Sequence, residues 1–194
     1  MQKKNNLVLK TIIFLILFIV CQNNVFSKDM ILDQLKNPTL TNQSQKWNFI
    51  TDQVMGGVST GKFMVEKVDG VMCYRMTGDV STKNNGGFIQ IRAKLNPKVN
   101  TKEYDGVYLK VYGNENNYSL HLRTELTLAP WQYYGYSFFS PNKWIEIRVP
   151  FSIFKKSNFY QPKTLLGQNI KSVGLVAGFD DFESDICLSE IGFY

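Results

Sequence analysis

The sequence predicts an all-β protein built as an antiparallel β-sandwich or jelly roll. Three observations support this prediction: apolar and polar residues alternate with a period of two from Trp47 onward, turn-forming residues separate the alternating runs, and helical periodicity is almost absent. Short strands at such regular spacing are typical of sandwiches and jelly rolls. The length of 194 residues and the 44% share of hydrophobic residues suit one globular domain.

Residues 1–27 have the layout of a secretory signal peptide. A basic start without acids precedes the short apolar run Thr11–Val20, and Val25 and Ser27 stand in the last three positions before a cut after Ser27. The run is shorter than the roughly 20 residues that a helix needs to cross a bilayer, which disfavours an uncleaved membrane anchor. We therefore expect an extracytoplasmic protein, periplasmic or secreted, whose mature chain has no transmembrane span.

The formal net charge of +6 does not indicate a nucleic-acid partner. Lys3, Lys4 and Lys10 of the predicted signal supply half of it, and the remaining Lys and Arg residues form no cluster along the sequence. A single His and three scattered Cys exclude a multi-His or four-Cys zinc site. We expect neither a metal nor a cofactor.

The mature chain divides into a polar leader, residues 28–45, and one domain, residues 46–194. In the leader, Met30–Leu35 is expected to form a helical turn or two. Residues 152–170 are predicted to be a long loop with a short helix near residues 162–167. Strict alternation predicts strands over four segments in particular, namely 89–92, 107–112, 119–123 and 145–149.

Two cysteines, Cys73 and Cys187, remain in the mature chain, and both lie in strand-like runs. An oxidising compartment permits a disulfide between them if the two strands are neighbours. Two separate, partly buried thiols are an equally good interpretation of the sequence.

A polar and aromatic sheet face is the main candidate for a binding site. His121, Arg123 and Glu125 alternate with Leu120 and Leu122 and therefore share the outer face of one strand. Comparable outward positions on two other predicted strands hold Arg92 and Tyr108. If the three strands are neighbours, their common face suits a glycan or protein ligand. An ordinary solvent-facing sheet surface is the alternative.

The densest aromatic stretch runs from Trp131 to Phe139. Its odd members, which include Trp131 and Tyr133, share one face, and its even members, which include Tyr134, share the other. We expect one set to lie in the core, whereas the other set could line a binding groove.

The segment Gly57-Val-Ser-Thr-Gly61 matches the G-x-S-x-G pattern of a hydrolase nucleophile. That motif works only where a strand turns sharply into a helix, but residues 62–68 alternate as a strand does. The acidic run from Asp180 to Asp185 matches no defined calcium loop and is interpreted as a solvated loop. We therefore predict no catalytic residues and no enzymatic activity.

The motif Asp52-Gln-Val-Met-Gly-Gly-Val-Ser59 resembles that of the complex I intermediate-associated protein 30 family, named for an assembly factor of NADH:ubiquinone oxidoreductase. The resemblance extends over residues 46–194 and implies a jelly roll of the galactose-binding-like kind without known catalysis. We expect Asp52 and Arg123 to meet across a sheet edge or groove, either in a ligand site or as a structural ion pair. Further motifs follow in the family's order: Gly78–Ser81, Asn85–Phe88, Arg92, Tyr104–Gly106, Leu122–Thr124, Val149–Phe151 and Ile170–Gly174.

Two functions are consistent with these observations. The first is an exported, non-catalytic binding module whose ligand is another protein or an extracytoplasmic glycan. The second, which the family resemblance implies, is a chaperone-like assembly factor for a membrane complex of the respiratory complex I type. The export signal argues for the first function, because it directs the protein away from the compartment of the mitochondrial factor.

Overall fold

Two antiparallel sheets form the fold in the computed structural model, which describes residues 29–194. The front sheet has the strand order β10-β8-β7-β11-β5-β2, and the back sheet has the order β3-β4-β12-β6-β9, with β1 also paired to β12. The predicted all-β sandwich is confirmed. The strands are β1 (Met30–Asp33), β2 (Trp47–Thr51), β3 (Thr60–Val68), β4 (Val71–Val80), β5 (Phe88–Asn100), β6 (Gly106–Tyr112), β7 (Asn116–Thr124), β8 (Tyr134–Ser140), β9 (Ile145–Pro150), β10 (Lys155–Lys156), β11 (Asn169–Gly178) and β12 (Phe182–Phe193).

The hydrophobic core fills the space between the two sheets because each strand directs alternate side chains inward. Leu120 and Leu122 of β7 are fully buried, and so are Val107 and Leu109 of β6 in the opposite sheet. Tyr134 is also fully buried, so the even members of the aromatic stretch belong to the core. The odd members therefore point out of the front sheet.

The segment before residue 46 is part of the domain and not a separate leader. Met30–Asp33 is a strand that pairs with the end of β12, so the predicted helical turn is wrong. Leu32 is fully buried, and the Asp33 carboxylate accepts hydrogen bonds from Trp47 Nε1 at 2.6 Å and from the Tyr74 hydroxyl at 3.0 Å. Pairing to β12 satisfies this segment's backbone, which the local sequence does not reveal.

The loop after β9 contains no helix near residues 162–167, contrary to the prediction. Phe151–Ile153 forms a single 3-10 turn, and Lys155–Lys156 adds a short strand to the edge of the front sheet. The loop therefore lies beside β10 and β8, at the edge of the front sheet.

A disulfide joins Cys73 of β4 to Cys187 of β12, with Cα atoms 5.5 Å apart. The two strands are hydrogen-bonded neighbours, and both cysteines are buried. The predicted signal peptide, residues 1–27, lies outside the described residues. Within residues 29–194, no helix is long and apolar enough to span a bilayer.

Candidate functional site

The outer face of the front sheet carries the candidate site, which we name the front face. Across four strands, the register aligns Gly135 with His121, His121 with Gly174, and Gly174 with Arg92. The two glycines make room for neighbouring side chains: the Tyr133 ring lies over Gly135, and the Gln90 amide lies over Gly174. The row therefore brings Tyr133, His121 and Arg92 close together on one face.

Three aromatic rings form a platform at the centre of this face. The Tyr133 ring stacks on the His121 imidazole, with centroids 3.7 Å apart and planes inclined by 12°, and the Phe179 ring centroid lies 5.9 Å from His121. A Cβ on Gly135 would lie only 3.0 Å from the Tyr133 ring, so glycine at this position makes the stack possible. Burial lowers the pKa of His121 to about 3, so the imidazole is neutral at physiological pH.

Phe179 holds its ring on the platform at a conformational cost. Its φ of 75° lies in the left-handed region, which aromatic residues rarely adopt. Its backbone N–H donates to the Gly87 carbonyl at 2.8 Å, and the side chain remains 60% exposed. A strained residue that presents an exposed ring is more often found at functional sites than elsewhere.

Arg123 lies beside the platform on the same face of β7 as His121. Its Nη2 donates to the Ala129 carbonyl at 2.7 Å, whereas its Nε is buried without a hydrogen-bond partner. Burial, and then the neighbouring positive charge of Arg92, lower the pKa of Arg123. The site thus contains an incompletely satisfied guanidinium group next to a ring platform.

Glu125 and Trp131 lie at the margin of the front face. The Glu125 carboxylate pairs with Lys98 and accepts a hydrogen bond from Asn169 Nδ2 at 2.9 Å, so it is already occupied. Trp131 is 66% exposed in the loop that connects β7 to β8. The hydroxyl of Ser157 ties this loop to the one after β10, because it donates to the Trp131 carbonyl and accepts from the Tyr133 backbone N–H.

Three exposed aromatic residues near this region were missed by sequence reasoning. Phe159 and Tyr160 are 85% and 87% exposed in the loop held by Ser157, and Phe179 follows β11. Adjacent aromatic residues in a polar loop are a signal that could have found Phe159 and Tyr160. No local signal could have found Phe179, because its role depends on the antiparallel pairing of β11 with β7.

Tyr108 does not belong to this face, contrary to the prediction. Its strand β6 lies in the back sheet, so its side chain emerges on the opposite side of the sandwich. There the Tyr108 hydroxyl donates to Glu190 at 3.0 Å, and the Arg148 guanidinium lies 5.4 Å from the ring centroid. Burial, followed by Glu190, raises the pKa of Tyr108. Alternation predicts a strand's outward positions correctly but does not tell which sheet receives the strand.

Asp52 does not lie on the front face either, and the prediction that it meets Arg123 is wrong. The Asp52 carboxylate is fully buried and accepts hydrogen bonds from the backbone N–H groups of Ser59, Gly87 and Phe88 and from the Ser59 hydroxyl. Burial alone would raise the pKa of Asp52, but these hydrogen bonds outweigh it and hold the pKa below its ordinary value. Asp52 therefore connects loops within the fold.

The glycines of the same motifs make room for this carboxylate. A Cβ on Gly57 or on Gly86 would clash with the Asp52 carboxyl group. Ser59 is fully buried, its hydroxyl donates to Asp52 at 2.6 Å, and strand β3 follows directly. No helix follows Ser59, so the geometry of a nucleophile elbow is not present at this position.

An open depression lies at the edge of the back sheet. It contains no aromatic side chain and lacks a ring platform. Its lining consists of Gly61, Lys62, Thr77, Gly78, Asp79 and Glu183. The front face is the better candidate because it combines stacked rings with unsatisfied polar groups.

The buried Asp52 network accounts for the motif on which the family resemblance depends. The family described as Complex I intermediate-associated protein 30 matches residues 35–189. The chain belongs to this family. The prediction from the sequence is confirmed, and in this complex I intermediate-associated protein 30 domain the Asp52, Gly57, Ser59 and Gly86 positions have a structural role. A comparison with curated proteins finds no match.

Solved structures similar to this family member include carbohydrate-binding modules. The family 11 module of the cellulosomal cellulase Lic26A-Cel5E of Clostridium thermocellum has a TM-score of 0.66 at 15% identity, over 86% of this chain and 94% of the module. The same family 11 module in complex with a β-1,3-1,4-mixed-linked tetrasaccharide has a TM-score of 0.67 at 15% identity, over 85% and 94%. A family 30 carbohydrate-binding module has a TM-score of 0.55 at 11% identity, over 86% and 98%. These likenesses show the fold.

Proposed function

We propose that this protein is an exported, non-catalytic binding module that holds a glycan on its front face. The stack of His121 and Tyr133 carries the proposal, because a sugar ring presents an apolar C–H face that can pack on the side of the Tyr133 ring turned away from His121. Polar groups beside the rings, such as Arg92 and Arg123, then fix the hydroxyl groups and set the orientation. The glycan-binding modules that share this fold support the same interpretation by analogy.

Isothermal titration calorimetry on residues 28–194 tests the proposal, with ligands first selected on a glycan array. Tyr133→Ala removes the ring that faces His121 and should weaken glycan binding at least tenfold, with little change in melting temperature. Tyr112→Ala is the matched control, because Tyr112 lies on the outer face of the back sheet. Equal affinities for the wild type and Tyr133→Ala would place the ligand elsewhere.

Export is part of the proposal, and two observations support it. The first 27 residues have the composition of a signal peptide, and the Cys73–Cys187 disulfide is of a kind that persists in oxidising compartments. An extracytoplasmic location would also bring the front face into contact with polysaccharides of the envelope or the surroundings.

A second candidate function is that of a chaperone-like assembly factor for a membrane complex. Membership of the complex I intermediate-associated protein 30 family favours it. Affinity purification of the tagged protein from its native membranes, followed by mass spectrometry, tests this function. Respiratory-complex subunits that co-purify with the wild type and with Tyr133→Ala alike would favour assembly over glycan binding.

A further inference from the structure

The charges of the front face differ from those of the back sheet. On the back sheet, Arg75 pairs with Glu66 and Asp185, Lys110 pairs with Glu190, and Arg148 pairs with Glu146. On the front face, no ion pair within the described residues involves the four cations Arg92, Lys94, Arg123 and Lys171. Glu125 acts on Lys171 but is itself paired with Lys98, so no carboxylate of the described residues is paired directly with these cations.

The sheet register brings these cations together around a low floor. Strand β11 runs between β7 and β5, and it aligns Ser172 with both Arg123 and Lys94 and Gly174 with Arg92. Ser172 and Gly174 are two residues apart and lie on the same face. Both are small and buried, so side chains from the two flanking strands converge over them, and the Gln90 amide oxygen lies 3.3 Å from the position that a Cβ on Gly174 would take.

The groups around this space have donors available for an anion. Arg123 Nε is buried without a partner, and Arg123 Nη2 and Lys171 Nζ donate only to the neutral carbonyls of Ala129 and Thr127. Burial and then Arg123 lower the pKa of Lys171, which reflects like charges in proximity. A guanidinium forms its strongest hydrogen bonds with carboxylate, sulfate or phosphate oxygens, because the planar fork matches two oxygens at once.

We propose that the glycan bound on the front face is acidic, and that a carboxylate or sulfate substituent of a sugar sits above Ser172 and Gly174 between Arg92 and Arg123. This inference rests on the proposed glycan-binding function. The sugar ring bearing the anion, or its neighbour, packs on the side of the stack that Tyr133 leaves uncovered. It can reach both groups because only strand β11, at Gly174, lies between His121 and Arg92. The anionic group supplies the counter-charge that the chain does not.

Matched ligands test the inference directly. Oligogalacturonate and its methyl ester share ring and linkage but differ in charge, and a sulfated carrageenan oligosaccharide and its desulfated form differ in the same way. Calorimetry should show at least tenfold tighter binding of one acidic ligand than of its neutral counterpart. The pair that shows the difference identifies carboxylate or sulfate as the recognised group.

Arginine variants assign the preference to this cluster. Arg92→Gln and Arg123→Gln should each remove most of the preference for the acidic ligand, whereas Arg148→Gln on the back sheet should leave it unchanged. Arg123 also donates a hydrogen bond to the Ala129 carbonyl, so Arg123→Gln could affect folding as well as binding. Arg92→Gln therefore provides a test that does not depend on that structural contact. Melting temperatures establish that each variant is folded.

Three results would overturn the inference. Equal affinity for acidic and neutral partners, with Tyr133→Ala still abolishing binding, would retain the glycan-binding function and reject the acidic ligand. Indiscriminate binding of all polyanions, including single-stranded DNA, that vanishes with added salt would show adsorption by charge alone. A failure of every glycan, neutral or acidic, to bind would reject the proposed function together with the inference.

Discussion

The imidazole of His121 and the ring of Tyr133 lie parallel at 3.7 Å on the outer face of the front sheet. His121 belongs to β7, Tyr133 is the last loop residue before the neighbouring strand β8, and Gly135 leaves the space that the Tyr133 ring occupies. This pairing covers the only histidine of the sequence, and the resulting burial explains its lowered pKa.

Acid should destabilise the protein through His121. Its pKa is about 3 in the folded protein and about 6.5 in the unfolded chain, so the unfolded state takes up the proton first as the pH falls below 6.5. The contribution of the neutral imidazole is complete above pH 6.5 and decreases towards pH 3. Between pH 7 and pH 4 the loss should reach about 3 kcal/mol.

Urea denaturation at the two pH values measures this loss, with His121→Phe as the comparison. The phenylalanine keeps a ring against Tyr133 but does not titrate, so its stability should fall less between pH 7 and pH 4. An identical pH dependence in the wild type and in His121→Phe would show that carboxyl groups alone cause the acid sensitivity.

Asp52 should matter for folding and not for binding. Asp52→Asn replaces an acceptor of four hydrogen bonds by a group that also presents donors to the same N–H groups, and should cost about 3 kcal/mol of unfolding free energy. Its pKa is lowered in the fold, so the contribution is present above about pH 4 and lost below it. The affinity per folded molecule should not change.

Asp69→Asn is the control for this prediction, because Asp69 lies in the exposed turn between β3 and β4. It should change the unfolding free energy by less than about 0.5 kcal/mol. If Asp52→Asn abolished ligand binding at an unchanged melting temperature, Asp52 would contribute to ligand binding and not to folding alone.

Reduction of the disulfide should lower stability substantially. Cys73 and Cys187 are separated by 114 residues, and a loop of that length corresponds to about 5 kcal/mol in the chain-entropy description. Thermal unfolding with and without a thiol reductant measures the effect, and the double variant Cys73→Ala/Cys187→Ala should be insensitive to the reductant. A melting temperature of the wild type that does not respond to complete reduction would contradict this expectation.

Cleavage after Ser27 is the last prediction. The intact mass of the protein purified from its native host should correspond to a chain that begins at Lys28. Ser27→Trp should accumulate the uncut precursor, because small residues are required directly before the cut, whereas Asn23→Trp should be processed normally. A native protein that retains residues 1–27 would refute the export proposal.

Alternation of side chains made the strands and their inward faces predictable. Leu120 and Leu122 point into the core, and His121 and Arg123 point out of it, as a period of two requires. The family motif was also recognisable, because Asp52, Gly57 and Ser59 are close together in the chain and occupy one structural unit. The role of Asp52 was nevertheless misjudged, since its partners Gly87 and Phe88 come from a distant segment.

The sequence by itself determined the all-β class, the family and the outward positions of each strand, because these depend on local patterns. Only the tertiary structure decided which outward positions share a surface. Strand β11 pairs between β7 and β5, which brings Arg123 and Arg92 to either side of Ser172 and Gly174. Strand β6 belongs to the other sheet, so Tyr108 lies on the opposite side of the sandwich. The physical reason is that strand pairing depends on backbone hydrogen bonds and core packing between distant segments, which a period of two does not specify.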